Sequence, residues 1–122
     1  KFIKLMSEDK EPVIYGDGTQ SRDFTYVENV VYANLLASNA EKAAGEVINI
    51  ACGESYTLLE LVKMLNEILG KNIEPRFAPE RTGDVKHSLA GIEKAKELLG
   101  YEVKVDFKEG LARTIEFLLC LK

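Results

Sequence analysis

Apolar residues along this chain recur at two spacings, and the switches between them predict short helices and strands in alternation. Phe2, Ile3, Leu5 and Met6 give residues 2–8 a helical pattern. After Pro12, the run Val13-Ile14-Tyr15 is β-prone and is stopped by Gly16. Gly16-Asp17-Gly18 predicts a turn with positive φ, and residues 21–26 a second short strand. Val27, Val30, Val31, Asn34 and Leu35 repeat at helical spacing, predicting a helix over 27–38.

The second half reads in the same way. Residues 46–50 are almost continuously apolar, as a buried strand would be, with a turn at 51–53. Thr57-Leu58-Leu59-Glu60 is a capping box, opening a helix that buries Leu58, Leu61, Val62, Leu65, Ile68 and Leu69 and stops at Gly70. A strand is predicted over 73–77, ended by Pro79, and a polar loop follows over 80–88. Ile92, Ala95, Leu98 and Leu99 share one face of a two-turn helix ending at Gly100. Asp106-Phe107-Lys108-Glu109 reads as a second capping box, opening a last helix through Leu111, Ile115, Leu118 and Leu119. The sum is a mixed α/β chain without internal repeats.

Composition narrows the function classes. The 122 residues are enough for one domain with a core, and 46% hydrophobic with 30% charged residues is the make-up of a folded globule. A net charge of −4, with 16 basic residues scattered among 20 acidic ones, argues against nucleic acid as the main partner. No apolar run approaches the roughly 18–20 residues of a membrane span. Cys52 and Cys120 lie far apart and His87 is the sole histidine, so no zinc-ligand spacing exists. The two cysteines read as buried free thiols of a cytoplasmic protein, although sequence leaves their pairing open. The chain opens in a helical pattern without an initiator Met, as a piece of something longer would.

Candidate chemistry is sparse. The glycines never form G-x-G-x-x-G, and no tyrosine is followed by lysine four residues on. His87 has no recognisable partner and reads as a surface or structural residue. What remains is Arg22 and Arg81 in polar loops, each closely followed by an aspartate, Asp23 and Asp84. Two guanidinium forks on one pocket would clamp a diphosphate, and Asp84 could accept from sugar hydroxyls. Equally, Arg22 with Asp23 and Arg81 with Asp84 could be local ion pairs holding their own loops.

Three ordered stretches carry a resemblance: residues 12–27 (PVIYGDGTQSRDFTYV), residues 47–53 (VINIACG), and residues 80–88 (ERTGDVKHS) leading into 92–101. Together they resemble the C-terminal part of the NAD-dependent epimerase/dehydratase family, the extended short-chain dehydrogenases acting on nucleotide sugars, most of all its UDP-glucose 4-epimerase branch. The resemblance implies a small mixed α/β substrate domain spanning 1–122. It implies that Arg22 and Arg81 bind the phosphates of a UDP-sugar, that Asp84 binds the ribose, and that Pro12, Val13, Ile14 and Tyr15 meet the base, with Phe24 lining the same pocket. The family's N-terminal Rossmann half, with its NAD loop and catalytic Tyr-x-x-x-Lys pair, has no counterpart in these residues. The resemblance therefore implies a chain that binds no cofactor itself and is inactive alone, NAD belonging to the full-length enzyme. A nucleotide-sugar dehydratase, or an interaction module with an idle pocket, are the alternatives. The family usually has aspartate where Gly91 stands, and glycine is a tolerable N-cap there. Without the Rossmann half, the apolar faces of 27–38 and 46–50 lose their cover, which predicts self-association or a rearranged element.

Overall fold

A computed structural model describes residues 1–120. Five α-helices, α1 (Phe2–Ser7), α2 (Val27–Ser38), α3 (Leu58–Leu69), α4 (Glu93–Leu99) and α5 (Phe107–Cys120), alternate with four very short strands. Strand β1 (Val13–Tyr15) pairs in parallel with β4 (Arg76–Ala78), and β2 (Ser21–Arg22) pairs antiparallel with β3 (Tyr56–Thr57). The mixed α/β class is as the residue pattern predicts. No helix among the described residues is long and apolar enough to cross a membrane.

The main core joins α1, β1, α3 and α5 through Met6, Ile14, Val62, Leu65, Phe107, Leu111 and Ile115. Helix α3 forms where its signals place it. Thr57 Oγ accepts from the Glu60 amide at 3.1 Å, the Glu60 carboxylate accepts from the Thr57 amide at 2.7 Å, and Gly70 closes the helix at φ 64°. The Lys71 ammonium ties α1 to α3, donating to the Met6 and Ser7 carbonyls at 2.9 Å each and so satisfying the helix's open C-terminal end. A second cluster, Ala33, Ala95, Leu99 and Tyr101, packs α2 against α4, with Ile48 and Ile50 half-buried beside it.

Several elements differ from the sequence expectation. The second strand covers only Ser21–Arg22, because Asp23 leaves the ladder to accept from the amides of Cys52 and Gly53, both at 2.9 Å. Residues 46–50 form no strand: among the described residues they have no ladder partner, and apolar content alone cannot supply one. Strand β3 was not foreseen, being two residues fused to the start of α3, and β4 begins at Arg76 rather than at residue 73. Helix α4 has Ile92, not Gly91, at its N-cap. The box at 106–109 is half made: Asp106 accepts from the Glu109 amide at 2.8 Å, while the Glu109 carboxylate turns to Arg113. Leu118 and Leu119 are 40% exposed, since α5 runs on past the core that Leu111 and Ile115 fill. Cys52 is half-buried and Cys120 exposed, both as free thiols, so the expected burial fails for Cys120, which sits in that same overrun.

The face of α2 carrying Val27, Val30, Val31 and Leu35 is exposed. What α2 buries instead is Ala33 and Asn29.

Candidate functional site

The site is built at the ends of β1 and β2 and on the segment that crosses them. After Tyr15 the chain reverses through Gly16 and Gly18, both at positive φ (95° and 81°). Gly18 is required twice over, because a Cβ there would lie 2.7 Å from Leu59 Cγ. That close approach lets the Gly18 and Gln20 carbonyls accept from the first amides of α3, Leu59 at 3.2 Å and Leu58 at 3.1 Å. Within the turn, the Asp17 carboxylate accepts from the Thr19 amide and hydroxyl at 2.9 and 2.7 Å and from Lys86 Nζ at 2.9 Å. These contacts hold its carboxyl well below the usual range, the Thr19 hydroxyl foremost.

The 78–88 segment lies against this turn. Its first contact is the Gly16 amide donating to the Ala78 carbonyl at 2.9 Å, which extends the β1–β4 ladder. Further on, the Ser21 amide donates to the Lys86 carbonyl at 2.9 Å and the Ser88 amide to the Ser21 carbonyl at 3.0 Å. Residues 86–88 thus lie beside β2 as a third, parallel rail, with Ser21 bridged to His87. The Ser21 hydroxyl meets His87 Nδ1 at 2.9 Å, so the histidine has the structural partner that sequence did not reveal.

Among the described residues, the structure shows neither of the local ion pairs that sequence offered. Arg22 bonds not with Asp23 but with Asp84, its NH2 donating to Oδ1 at 2.9 Å while NH1 donates to the Ser21 carbonyl at 2.8 Å. The Arg81 guanidinium lies 3.7 Å from the centroid of the Tyr15 ring. Hydrogen bonding from Arg81 and its positive charge lower the Tyr15 phenol pKa. Tyr15, Arg22, Arg81 and Asp84 are thereby joined through one crossing segment, although 66 positions separate the first from the third.

The remaining candidates are placed differently. Pro12 and Ile14 are fully buried, so β1 presents Val13 and Tyr15 outward. The Pro12 carbonyl and Gly16 amide both face β4. By strand alternation, the peptide groups of Val13 and Tyr15 then face the opposite edge. Gln20 Nε2 donates to the Tyr15 carbonyl at 2.6 Å. Phe24 stacks on Phe107 with centroids 4.7 Å apart and lines an apolar groove of about 360 Å³ with Tyr26, Gly110 and Thr114. No arginine lines that groove. Among the described residues no cluster of His, Cys, Asp or Glu could hold a metal ion. Glycines 16, 18 and 53 occupy turns, and Gly110 lies at the contact of α5 with Tyr26.

Residues 1–114 match the family model described as GDP-mannose 4,6 dehydratase. The chain is 33% identical over 118 residues to the UDP-glucuronate 4-epimerase of Thermodesulfobacterium geofontis, covering 96% of this chain and 36% of that protein. It superposes with a TM-score of 0.91 on the Thermotoga maritima UDP-glucose 4-epimerase solved with UDP-glucose, at 46% identity, covering 99% of this chain and 39% of that one. The Bacillus cereus UDP-glucuronic acid 4-epimerase, solved with UDP-glucuronic acid and NAD, matches at 38% identity and a TM-score of 0.92, with 99% and 39% covered. The chain thus spans under two-fifths of the length of these relatives. With the family model matched from residue 1 to residue 114 and the fold shared with solved epimerases, the chain belongs to the GDP-mannose 4,6 dehydratase family, the nucleotide-sugar epimerases and dehydratases that its three sequence stretches resemble.

Proposed function

We propose that this chain holds the nucleoside diphosphate of a UDP-sugar for an NAD-dependent sugar 4-epimerase whose redox groups lie outside residues 1–122. The observation that carries the reading is the joining of Arg22, Asp84, Arg81 and Tyr15 through the 78–88 segment. Two fixed guanidinium groups can each give a phosphate a planar pair of donors. Asp84 would then turn its carboxylate to the ribose hydroxyls. The outward edge of β1 offers amide, carbonyl, amide in order. That donor-acceptor-donor sequence complements the carbonyl, N–H, carbonyl edge of uracil and differs from the edges of adenine and guanine. NAD is assigned to the rest of the longer enzyme, and no redox step is assigned to these residues. Dehydration of the same class of substrate is a second reading, favoured by the description of the matching family model.

Titration of the chain with UDP tests the site. Binding is expected, and Arg22→Ala or Arg81→Ala is each expected to weaken it about tenfold, the loss of one charge-assisted contact. Absence of heat at millimolar UDP would leave the interaction-module reading in its place.

The uncovered surface fits the same proposal. Val27, Val31 and Leu35 on α2 are each more than half exposed, and Val47 is 85% exposed. Between the end of α2 and residues 46–50 lies an open cavity of about 650 Å³ whose lining mixes alanines and Ile48 and Ile50 with polar residues such as Asn34, Glu41 and Glu46. We assign this face to the NAD-binding half. Alone, the chain is expected to sediment as concentration-dependent oligomers, and Val31→Glu with Leu35→Glu to return it to a monomer. A parent chain that stays monomeric at high concentration would contradict the assignment.

A further inference from the structure

The arginine to which the diphosphate reading gives a phosphate is already paired within the chain. Arg22 NH2 donates to the Asp84 carboxylate at 2.9 Å. A carboxylate oxygen and a phosphate oxygen take the same place in the guanidinium fork. Asp84 therefore sits where a phosphate oxygen would sit, and it is not free to drift away. The Asp84 amide donates to the Arg81 carbonyl at 3.2 Å, and the Lys86 carbonyl accepts from the Ser21 amide at 2.9 Å. Lys86 Nζ is in turn paired with Asp17 at 2.9 Å. A carboxylate fastened on both sides reaches Arg22 intramolecularly, at an effective concentration that free anions in solution must match.

We propose that Asp84 is an internal competitor for Arg22, an autoinhibitory contact that a phosphate-bearing ligand must displace and a neutral nucleoside cannot. The proposal rests on the diphosphate reading of the site and adds a regulation to it. Displacement moves the Asp84 carboxylate off the guanidinium, where it becomes available to a sugar hydroxyl. Filling of the phosphate position and engagement of the ribose are then one coupled event. The Arg22 and Asp84 side chains are only partly buried, at 29% and 41% exposure. Exposed pairs of this kind contribute about 0.2–1 kcal/mol, which sets the scale of the competition at roughly twofold to fivefold in affinity.

Inorganic pyrophosphate is the probe, because it has no ribose through which Asp84 could assist binding. Calorimetric titrations would compare the 122-residue chain with Asp84→Asn, Asp17→Asn and Arg22→Ala. Asp84→Asn is expected to bind pyrophosphate roughly twofold to fivefold more tightly than the parent. Asp17→Asn, which removes the same charge but frees Lys86 instead, is expected to stay near the parent, and Arg22→Ala to lose most of the binding. In the parent chain itself, the Arg22 Nε–H resonance should move on addition of pyrophosphate and stay in place with uridine. If Asp84→Asn binds no more tightly than the parent while Arg22→Ala loses binding, the competitor is overturned and the diphosphate site stands. Equal tightening in Asp17→Asn would reduce the effect to general electrostatics and overturn it as well. Failure of both the parent and Asp84→Asn to bind pyrophosphate would overturn the competitor and the diphosphate reading together.

Discussion

Replacing Asn29 with leucine is expected to remove at least about 2 kcal/mol of folding stability, read as a lower urea midpoint at unchanged slope. Asn29 is fully buried on α2, and its amide is used on both ends. Nδ2 donates to the Val105 carbonyl at 2.7 Å, while Oδ1 accepts from the amides of Lys104 and Val105 at 2.9 and 3.0 Å. A single side chain thereby satisfies three backbone groups in the link between α4 and α5. Leucine fills a similar volume and satisfies none of them, and each buried orphan costs about 1–3 kcal/mol. Against total stabilities of about 5–15 kcal/mol that loss is large. Asn34 provides the contrast within the same helix. Its amide donates to the Val30 carbonyl at 2.8 Å on an exposed face, and Asn34→Leu is expected to change stability by less than about 0.5 kcal/mol. Equal effects at the two positions would show that the 104–105 link does not depend on Asn29.

That asparagine also marks where sequence reading stops. Local signals translated directly: the Thr57–Glu60 box, the Gly70 stop and the Gly16–Gly18 turn each act within a few residues, and each forms. Asn29 acts across 76 positions, and no local pattern distinguishes it from Asn34. Residues 46–50 carry strand composition, but a strand exists only where another edge meets it. The same distinction holds at the site. The residue pattern singled out Arg22, Arg81 and Asp84 but left Arg22 equally able to pair with Asp23, and the resemblance gave them roles and added Tyr15. The structure separates them because Asp23 is held by the amides of Cys52 and Gly53, leaving Asp84 beside the guanidinium. The resemblance alone implied that Phe24 lines the nucleotide pocket. Its ring stacks on Phe107 and lines an apolar groove with Tyr26, Gly110 and Thr114.

Gly110→Ala tests how α5 is seated, and here two effects of opposite sign compete. In an open helix the change would stabilise by about 0.8–1.0 kcal/mol through helix propensity. At Gly110, however, the added Cβ would lie 2.6 Å from Tyr26 Cβ and 2.8 Å from its Cγ. Those atoms sit next to the main chain, not at the tip of a flexible side chain, so relief requires moving either backbone. Tyr26 is also the N-cap of α2, in extended conformation at φ −71° and ψ 143°, so its displacement would tilt the entry of that helix. Overpacking of this kind costs about 1–3 kcal/mol and occasionally more, and we expect a net loss of about 2 kcal/mol, lowering Tm by roughly 5–10 °C. Combining it with Tyr26→Gly separates the two effects. In that background the clashing atoms are gone, and Gly110→Ala should become stabilising by up to about 1 kcal/mol. Should the alanine destabilise equally with and without the Tyr26 side chain, the close approach of α5 to the start of α2 could not be what requires glycine there.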